Sequence, residues 1–179
     1  PSDDLSFTAY YGNIAQMDDA FGRLMRALDG RGLRENTLVW FTSDNGPALT
    51  PMHPHGSAGP LRDKKGSLWE GGIRVPGLVR WPGRIQPGMV SDEPVGGVDF
   101  LPTVCALTGV QPPGDRVLDG ASVLPVFAGQ PVTRATPLYW QFNLSTGEPK
   151  VALRDGDWKL LATFGPAGRR LLDIDETSE

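Results

Sequence analysis

Cysteine is nearly absent from this 179-residue chain, because Cys105 is the only one. A single cysteine excludes any disulfide within the chain and leaves the redox compartment undecided. Cys105 lies in an apolar stretch with helical spacing. We therefore interpret it as a small buried residue on a helix face rather than as a reactive thiol.

The chain also lacks an excess of basic residues, with 17 Lys and Arg against 21 Asp and Glu and a net charge of -4. This mildly acidic balance argues against a nucleic-acid surface, which needs a basic stripe to neutralise phosphates. No apolar run approaches the roughly 20 residues that are needed to span a membrane. The sequence therefore predicts neither a nucleic-acid partner nor a membrane span.

Histidine is represented only by His53 and His55, which lie close together in one loop. Two ligands on a loop are too few for zinc, which usually takes three or four protein ligands. A zinc site is therefore not favoured for this pair, and contact with a substrate is the alternative hypothesis.

Apolar periodicity predicts a helix over residues 5–28, because large apolar side chains recur at spacings of three and four: Ile14, Met17, Phe21, Leu24, Met25 and Leu28. A strand to Thr42 follows. The loop over residues 46–70 has no apolar periodicity, and long loops of this kind inside compact domains tend to be functional. A further strand is predicted over residues 75–81.

Asp99 is predicted to cap a short helix, whose buried face comprises Phe100, Leu101, Val104 and Leu107. Another short helix is predicted over residues 123–128. Short strands separated by turn residues then predict an antiparallel sheet, over residues 138–142, 151–154, 158–162 and 170–173. Four tryptophans are interpreted as packing residues: Trp69, Trp81, Trp140 and Trp158.

The run over residues 37–46 ends a strand pattern abruptly in an acid, an amide and a glycine. In open α/β sheets, ligands bind outside the carboxyl ends of the strands. Asp44 and Asn45 would place two hard oxygen ligands there, which suit Mg²⁺ or Ca²⁺. The alternative is an ordinary turn, since Asp, Asn and Gly all tolerate turn conformations.

A second motif runs from Lys64 to Pro76 and contains Glu-Gly-Gly-Ile-Arg-Val-Pro. Together with Ser-Asp-Asn-Gly at the strand end, it resembles the sulfatase family, the formylglycine-dependent members of the alkaline phosphatase superfamily. Further motifs have counterparts in the same order, so that the resemblance covers nearly the whole chain: Trp81-Pro-Gly, Asp99-Phe-Leu-Pro-Thr, Asp119-Gly-Ala-Ser and Arg154-Asp-Gly-Asp-Trp-Lys-Leu. Gly-Pro-Leu-Arg before the lysines and the Trp-Pro-Gly turn resemble the branch of arylsulfatase A and N-acetylgalactosamine-6-sulfatase most.

The resemblance implies an α/β fold, the C-terminal part of an alkaline-phosphatase-like mixed sheet with flanking helices. Residues 1–131 would belong to that domain and residues 132–179 to a small antiparallel subdomain, with the N-terminal half outside this sequence. Asp44 and Asn45 would be ligands of Ca²⁺ or Mg²⁺, and Lys65 would be catalytic, contacting the sulfate. Lys64 would face solvent. Gly71 and Gly72 would permit a tight backbone close to the site, and Glu70 and Arg74 would brace the loop that carries Lys65.

The nucleophile of this family is a formylglycine made from cysteine in Cys-x-Pro/Ala-x-Arg. Cys105 is followed by Ala-Leu-Thr-Gly and does not match, so the nucleophile is expected upstream and the isolated chain is expected to be inactive. Implied substrates are a sulfated sugar, glycan, sulfolipid or aryl sulfate, and the implied location is periplasmic, secreted or lysosomal. A phosphonate or phosphate monoester hydrolase and a non-catalytic remnant are the alternatives, and the oligomeric state stays open.

Overall fold

The computed structural model describes residues 5–51, 54–145, 147, 149–164 and 170–175. The chain divides into two compact units, Pro1–Gly83 and Arg84–Glu179. The predicted domain division near residue 131 stays a prediction.

The first unit begins with helix α1, which spans Leu5–Gly30. The helix ends where Leu33 donates its amide hydrogen to the carbonyl oxygen of Leu28 at 3.0 Å and Gly32 adopts a positive φ of 69°, a conformation that glycine tolerates without a steric penalty. The predicted helix is confirmed, and it extends to Gly30.

The apolar face of α1 is partly open. Phe21 packs against Phe41 with ring centroids 5.3 Å apart. Ile14, Met17 and Leu24 remain 41%, 52% and 52% exposed. The described residues therefore cover only part of the face that the periodicity predicts.

Two strands of the first unit form an antiparallel pair, β1 (Val39–Thr42) and β2 (Gly77–Arg80). The register places Val39 opposite Arg80 and Thr42 opposite Gly77. A short helix, α2 (Glu70–Ile73), directly precedes β2. The end of β1 and the segment before β2 thus lie side by side.

The second unit begins with a 3-10 turn that continues into helix α3, Phe100–Thr108. Cys105 is buried, as predicted. The predicted buried face is wrong for Phe100 and Leu101, which are 53% and 45% exposed. Asp99 and Thr103, one helical turn apart, are buried in their place.

The physical reason is that both polar side chains find partners inside the unit. The Thr103 hydroxyl donates to the carbonyl oxygen of Asp99 at 2.6 Å and accepts the amide hydrogen of Val123 at 3.0 Å. Buried polar groups that are hydrogen-bonded in this way carry little desolvation penalty. The orientation of α3 therefore follows these polar contacts instead of the apolar residues at its start.

Asp99 is the N-cap residue of α3, as predicted, although its side chain makes no capping hydrogen bond to that helix. Its carboxylate accepts the amide hydrogens of Gly96 at 2.8 Å and Ala121 at 2.9 Å. Arg134 donates to both carboxylate oxygens, at 2.6 and 2.8 Å, and to the carbonyl oxygen of Pro94 at 2.6 Å. Asp99 therefore joins three separate segments of the second unit.

The predicted helix over residues 123–128 is a 3-10 turn, Leu124–Ala128, that ends at Gly129. The predicted antiparallel sheet is confirmed, with the strands in sequence order. They are β3 (Leu138–Gln141), β4 (Val151–Asp155), β5 (Trp158–Phe164) and β6 (Arg170–Asp175).

Trp158 is not a buried packing residue, because it is 61% exposed while the next residue, Lys159, is 1% exposed. Trp158 pairs with Asp155 at the closed end of the β4–β5 hairpin, and side chains alternate between the two faces of a strand.

Among the described helices, none is long and apolar enough to cross a membrane.

Candidate functional site

The end of β1 carries the two predicted metal ligands into a bend. Asp44 is exposed and Asn45 is half-buried. The Asn45 amide nitrogen donates to the carbonyl oxygen of Gly46 at 3.2 Å. The Thr42 hydroxyl donates to the carbonyl oxygen of Pro76 at 3.0 Å and ties the end of β1 to the segment before β2.

Three glycines form a close backbone contact next to this bend. The Gly46 amide donates to the carbonyl oxygen of Gly72 at 2.9 Å, and a Cβ on Gly46 would lie 1.8 Å from the carbonyl oxygen of Gly71. A Cβ on Gly71 would lie 2.1 Å from the carbonyl oxygen of Asp63. As the sequence predicts, the glycines permit a tight backbone here, because any side chain would collide with it.

The two adjacent lysines have different surroundings. The Lys65 amide donates to the carbonyl oxygen of Pro47 at 3.0 Å, and its side chain is exposed and lines a pocket. The Lys64 ammonium donates to the carbonyl oxygen of Leu49 at 2.6 Å. The prediction that Lys64 faces solvent is therefore wrong, because its ammonium group donates a charge-assisted hydrogen bond to the half-buried Leu49 carbonyl group.

The pocket has a volume of about 680 Å³, within the range that is usual for small-molecule sites. Its polar lining includes Ser43, Asn45, Lys65 and Arg74. The structure thus brings one predicted metal ligand and the predicted catalytic lysine to one cavity. Asp44 is exposed beside Asn45 and is not among the lining residues.

Arg74, to which the sequence assigns only a bracing role, also lines the pocket. Its guanidinium lies 3.9 Å from the Glu70 carboxylate, and its side chain is 60% exposed. That distance is at the outer limit of an ion pair, and only the Arg74 side of the contact is exposed, since the Glu70 side chain is 13% exposed. The sequence signal for a second cation at this site is the position of Arg74, nine residues after Lys65.

His55 is not among the residues that line the pocket. His55 lies among aromatic rings, 5.3 Å from Phe7 and 6.0 Å from Tyr10 between ring centroids. His53 lies outside the described residues. Within the described part of the chain, no three His, Cys, Asp or Glu side chains are grouped as a metal site.

Two family models match the sequence. One is described as Sulfatase and matches residues 2–110. The other is described as N-sulphoglucosamine sulphohydrolase, C-terminal, and matches residues 61–176. Together these matches cover the motifs of the pocket and the antiparallel sheet.

Curated proteins also match. Steryl-sulfatase of Mus musculus is 46% identical over 126 residues, covering 68% of this chain and 20% of that protein. Arylsulfatase A of Bos taurus is 40% identical over 151 residues, covering 82% of this chain and 29% of that protein. N-acetylgalactosamine-6-sulfatase of Canis lupus familiaris is 36% identical over 151 residues, covering 83% and 28%. The chain therefore spans only a fifth to under a third of these relatives.

A crystal structure of Ps i-CgsB in complex with k-i-k-neocarrahexaose resembles the chain with a TM-score of 0.77 and 30% identity, covering 96% of this chain and 37% of that one. A crystal structure of PsFucS1 sulfatase from Pseudoalteromonas sp. has a TM-score of 0.70 and 29% identity, covering 92% and 33%. These similarities confirm the predicted α/β fold class. Because the Sulfatase family model matches more than half of this chain, the chain belongs to the sulfatase family.

Proposed function

We propose that this chain forms part of the active site of a sulfate-ester hydrolase, in which Asp44 and Asn45 bind a divalent cation and Lys65 contacts the sulfate group. The reaction would consume water and yield an alcohol and sulfate. The observation that carries the proposal is the pocket that Asn45 and Lys65 line together. The family match supports sulfate rather than a phosphate or phosphonate monoester as the reacting group.

Members of the sulfatase family are metal-dependent, and the residues at the strand end fit part of such a site. Asp44 offers carboxylate oxygens, and the Asn45 amide nitrogen is already engaged with Gly46, which leaves Asn45 Oδ1 for a cation. Ca²⁺ usually takes about six to eight oxygen ligands. Ca²⁺ or Mg²⁺, when bound, would stabilise negative charge on the sulfate oxygens and lower the pKa of the attacking hydroxyl.

The remaining ligands and the formylglycine nucleophile would come from a part of the protein outside this sequence. The fractions of 20%, 28% and 29% of the relatives that the chain spans support this division. The exported locations expected of the family, in the periplasm, outside the cell or in the lysosome, are part of the same proposal.

Lys65 is held where an anion can reach it. Its amide hydrogen bond to Pro47 fixes the backbone beside the bend that carries Asn45, and its side chain lines the pocket. An ammonium group is a compact charge with three donors. Such a group, placed in advance at the point where charge develops, stabilises the transition state. Arg74 adds a second positive charge to the same lining.

The substrate class is a sulfate ester of a sugar, glycan, lipid or aryl alcohol. Relatives are named for steryl, aryl and N-acetylgalactosamine-6-sulfate esters, and a structural neighbour is in complex with a neocarrahexaose. These names support sulfated substrates without selecting one of them.

Replacing Lys65 by methionine in the full-length protein is expected to lower kcat for p-nitrophenyl sulfate by about 10² to 10³, the effect of removing one such donor to a developing charge. Lys64→Met is the matched control. Because the Lys64 ammonium binds the Leu49 carbonyl, this change is expected to reduce thermal stability and to leave kcat nearly unchanged. Equal kcat losses in both variants would contradict the assignment of Lys65.

The isolated chain is expected to show no detectable sulfatase turnover, since it contains no cysteine in the formylglycine motif. The measurement is hydrolysis of p-nitrophenyl sulfate by the purified chain with added Ca²⁺ or Mg²⁺, compared with the full-length protein. Turnover by the isolated chain would place a nucleophile within these residues. An inactive full-length protein would support the non-catalytic alternative.

A further inference from the structure

Four aromatic side chains meet where the start of α1 lies against the loop after β1. The rings of Phe7 and Tyr11, one helical turn apart, have centroids separated by 4.6 Å. Tyr10 lies perpendicular to Tyr11 at 5.2 Å, and His55 from the loop is edge-on to Phe7 at 5.3 Å. We call Phe7, Tyr10, Tyr11 and His55 the aromatic cluster.

The aromatic cluster is open on one side. Phe7 and Tyr11 are 46% and 49% exposed. Large rings contribute most to stability and to binding when they are buried, so these two rings have apolar surface left to bury. An exposed set of rings next to a cavity is typical of small-molecule sites, which are lined mainly by apolar and aromatic side chains.

A single glycine separates the aromatic cluster from the pocket. A Cβ on Gly56 would lie 3.1 Å from Pro47 Cβ and 3.7 Å from the Tyr10 hydroxyl oxygen. Pro47 and the next loop residue, Ser57, both line the pocket. Gly56 therefore lies against both the Pro47 wall of the pocket and the Tyr10 ring of the aromatic cluster.

We propose that the aromatic cluster binds the alcohol part of the sulfate ester when that part is a ring with an apolar face, whether an arene or the C–H face of a sugar. This inference rests on the proposed function of the pocket. The pairing matches the two ends of such an ester, because Lys65 and Arg74 supply charge for the sulfate and the rings supply apolar surface for the alcohol.

The test compares kcat/KM of the full-length protein for 2-phenylethyl sulfate, a hexose 6-sulfate and n-hexyl sulfate, all of which release a primary alcohol. We expect wild type to favour at least one ring ester over the chain ester. Tyr11→Ala is expected to lower that preference on the order of tenfold, while Tyr11→Phe, which keeps the ring, retains it. Because all esters are measured on the same preparation, a loss of folded enzyme would lower every rate and leave the ratio unchanged.

Met17→Ala is the matched control, since Met17 is a 52% exposed apolar residue of α1 outside the aromatic cluster. It is expected to leave the ratio unchanged. No preference in wild type, or a preference that Tyr11→Ala does not reduce, would overturn the inference, and the Lys65→Met result would still stand for the pocket. Failure to hydrolyse any of the esters would overturn the proposed function and this inference with it.

Discussion

Replacing Asp99 by asparagine is expected to lower the free energy of unfolding of the Arg84–Glu179 unit by about 3 to 5 kcal/mol, the usual cost of breaking a buried ion pair by removing one partner. Asp99 is 0% exposed and Arg134 is 14% exposed in their side chains. The asparagine would leave the guanidinium without its counter-charge and would present an amide donor where two donors already point. Urea unfolding monitored by tryptophan fluorescence measures the change.

The control for this change is Asp115→Asn in the same unit. Asp115 forms the same kind of two-point contact with Arg116, at 2.9 and 2.7 Å, but both side chains are about two-thirds exposed, at 66% and 65%. Exposed ion pairs are screened by water and salt, so the unfolding midpoint should hardly move. Equal effects of the two substitutions would show that burial of the Asp99 pair has no special weight.

The stability of the same unit is expected to depend on pH through Asp99. Burial by itself raises the pKa of this carboxyl, but the hydrogen bonds from Arg134 and from the Gly96 and Ala121 amides outweigh it and lower the pKa below its ordinary value of 3.8. A carboxylate of lowered pKa stabilises the folded state above its unfolded pKa, and the contribution is lost as the pH falls through the folded value. Unfolding midpoints of wild type and Asp99→Asn should therefore converge in acid and differ most near neutral pH.

Replacing Gly46 by alanine is expected to destabilise the Pro1–Gly83 unit by about 3 kcal/mol, the upper end of the usual cost of overpacking. The new Cβ would lie 1.8 Å from the carbonyl oxygen of Gly71, so the backbone has to move. Since Gly46 follows Asn45 and its amide binds the Gly72 carbonyl, the same movement would shift Asn45 relative to Lys65. The midpoint temperature of thermal unfolding and the kcat of the full-length protein should both fall.

Gly77→Ala provides the matched control for this substitution. Gly77 lies in β2 opposite Thr42, and nothing lies within 4 Å of the place where its Cβ would be. Alanine also restricts the unfolded chain more than glycine does, which is neutral or slightly stabilising at a compatible position. If Gly46→Ala and Gly77→Ala behaved alike, the close contact of the three glycines would not be what positions the site.

The sequence predicts the elements whose signals are local. The helix α1 and the strand that ends at Thr42 follow from periodicity and from the residues that end each run, and the hairpin strands follow from their turn residues. The role of Asp99 could not be predicted, because its partners Ala121 and Arg134 lie 22 and 35 positions away. Side-chain direction was missed for a similar reason, since the carbonyl group that binds Lys64 lies fifteen residues before it.

The candidate site was predicted in part. Asn45 and Lys65 carry family motifs and line one pocket, whereas the position of Arg74 in that lining depends on how the chain turns after α2. The assignment of Asp44 and Asn45 to the metal and of Lys65 to the sulfate stays a prediction.

The solitary cysteine makes the opening of one unit measurable without any engineered label. Cys105 lies on α3 and is 7% exposed, so a thiol reagent reaches it only when the surrounding packing opens. Because these 179 residues contain no other thiol, the labelling rate read at Cys105 by peptide mass spectrometry under native conditions reports the free energy of that opening. Labelling read at this one position can therefore separate the local opening of the Arg84–Glu179 unit from events at the pocket.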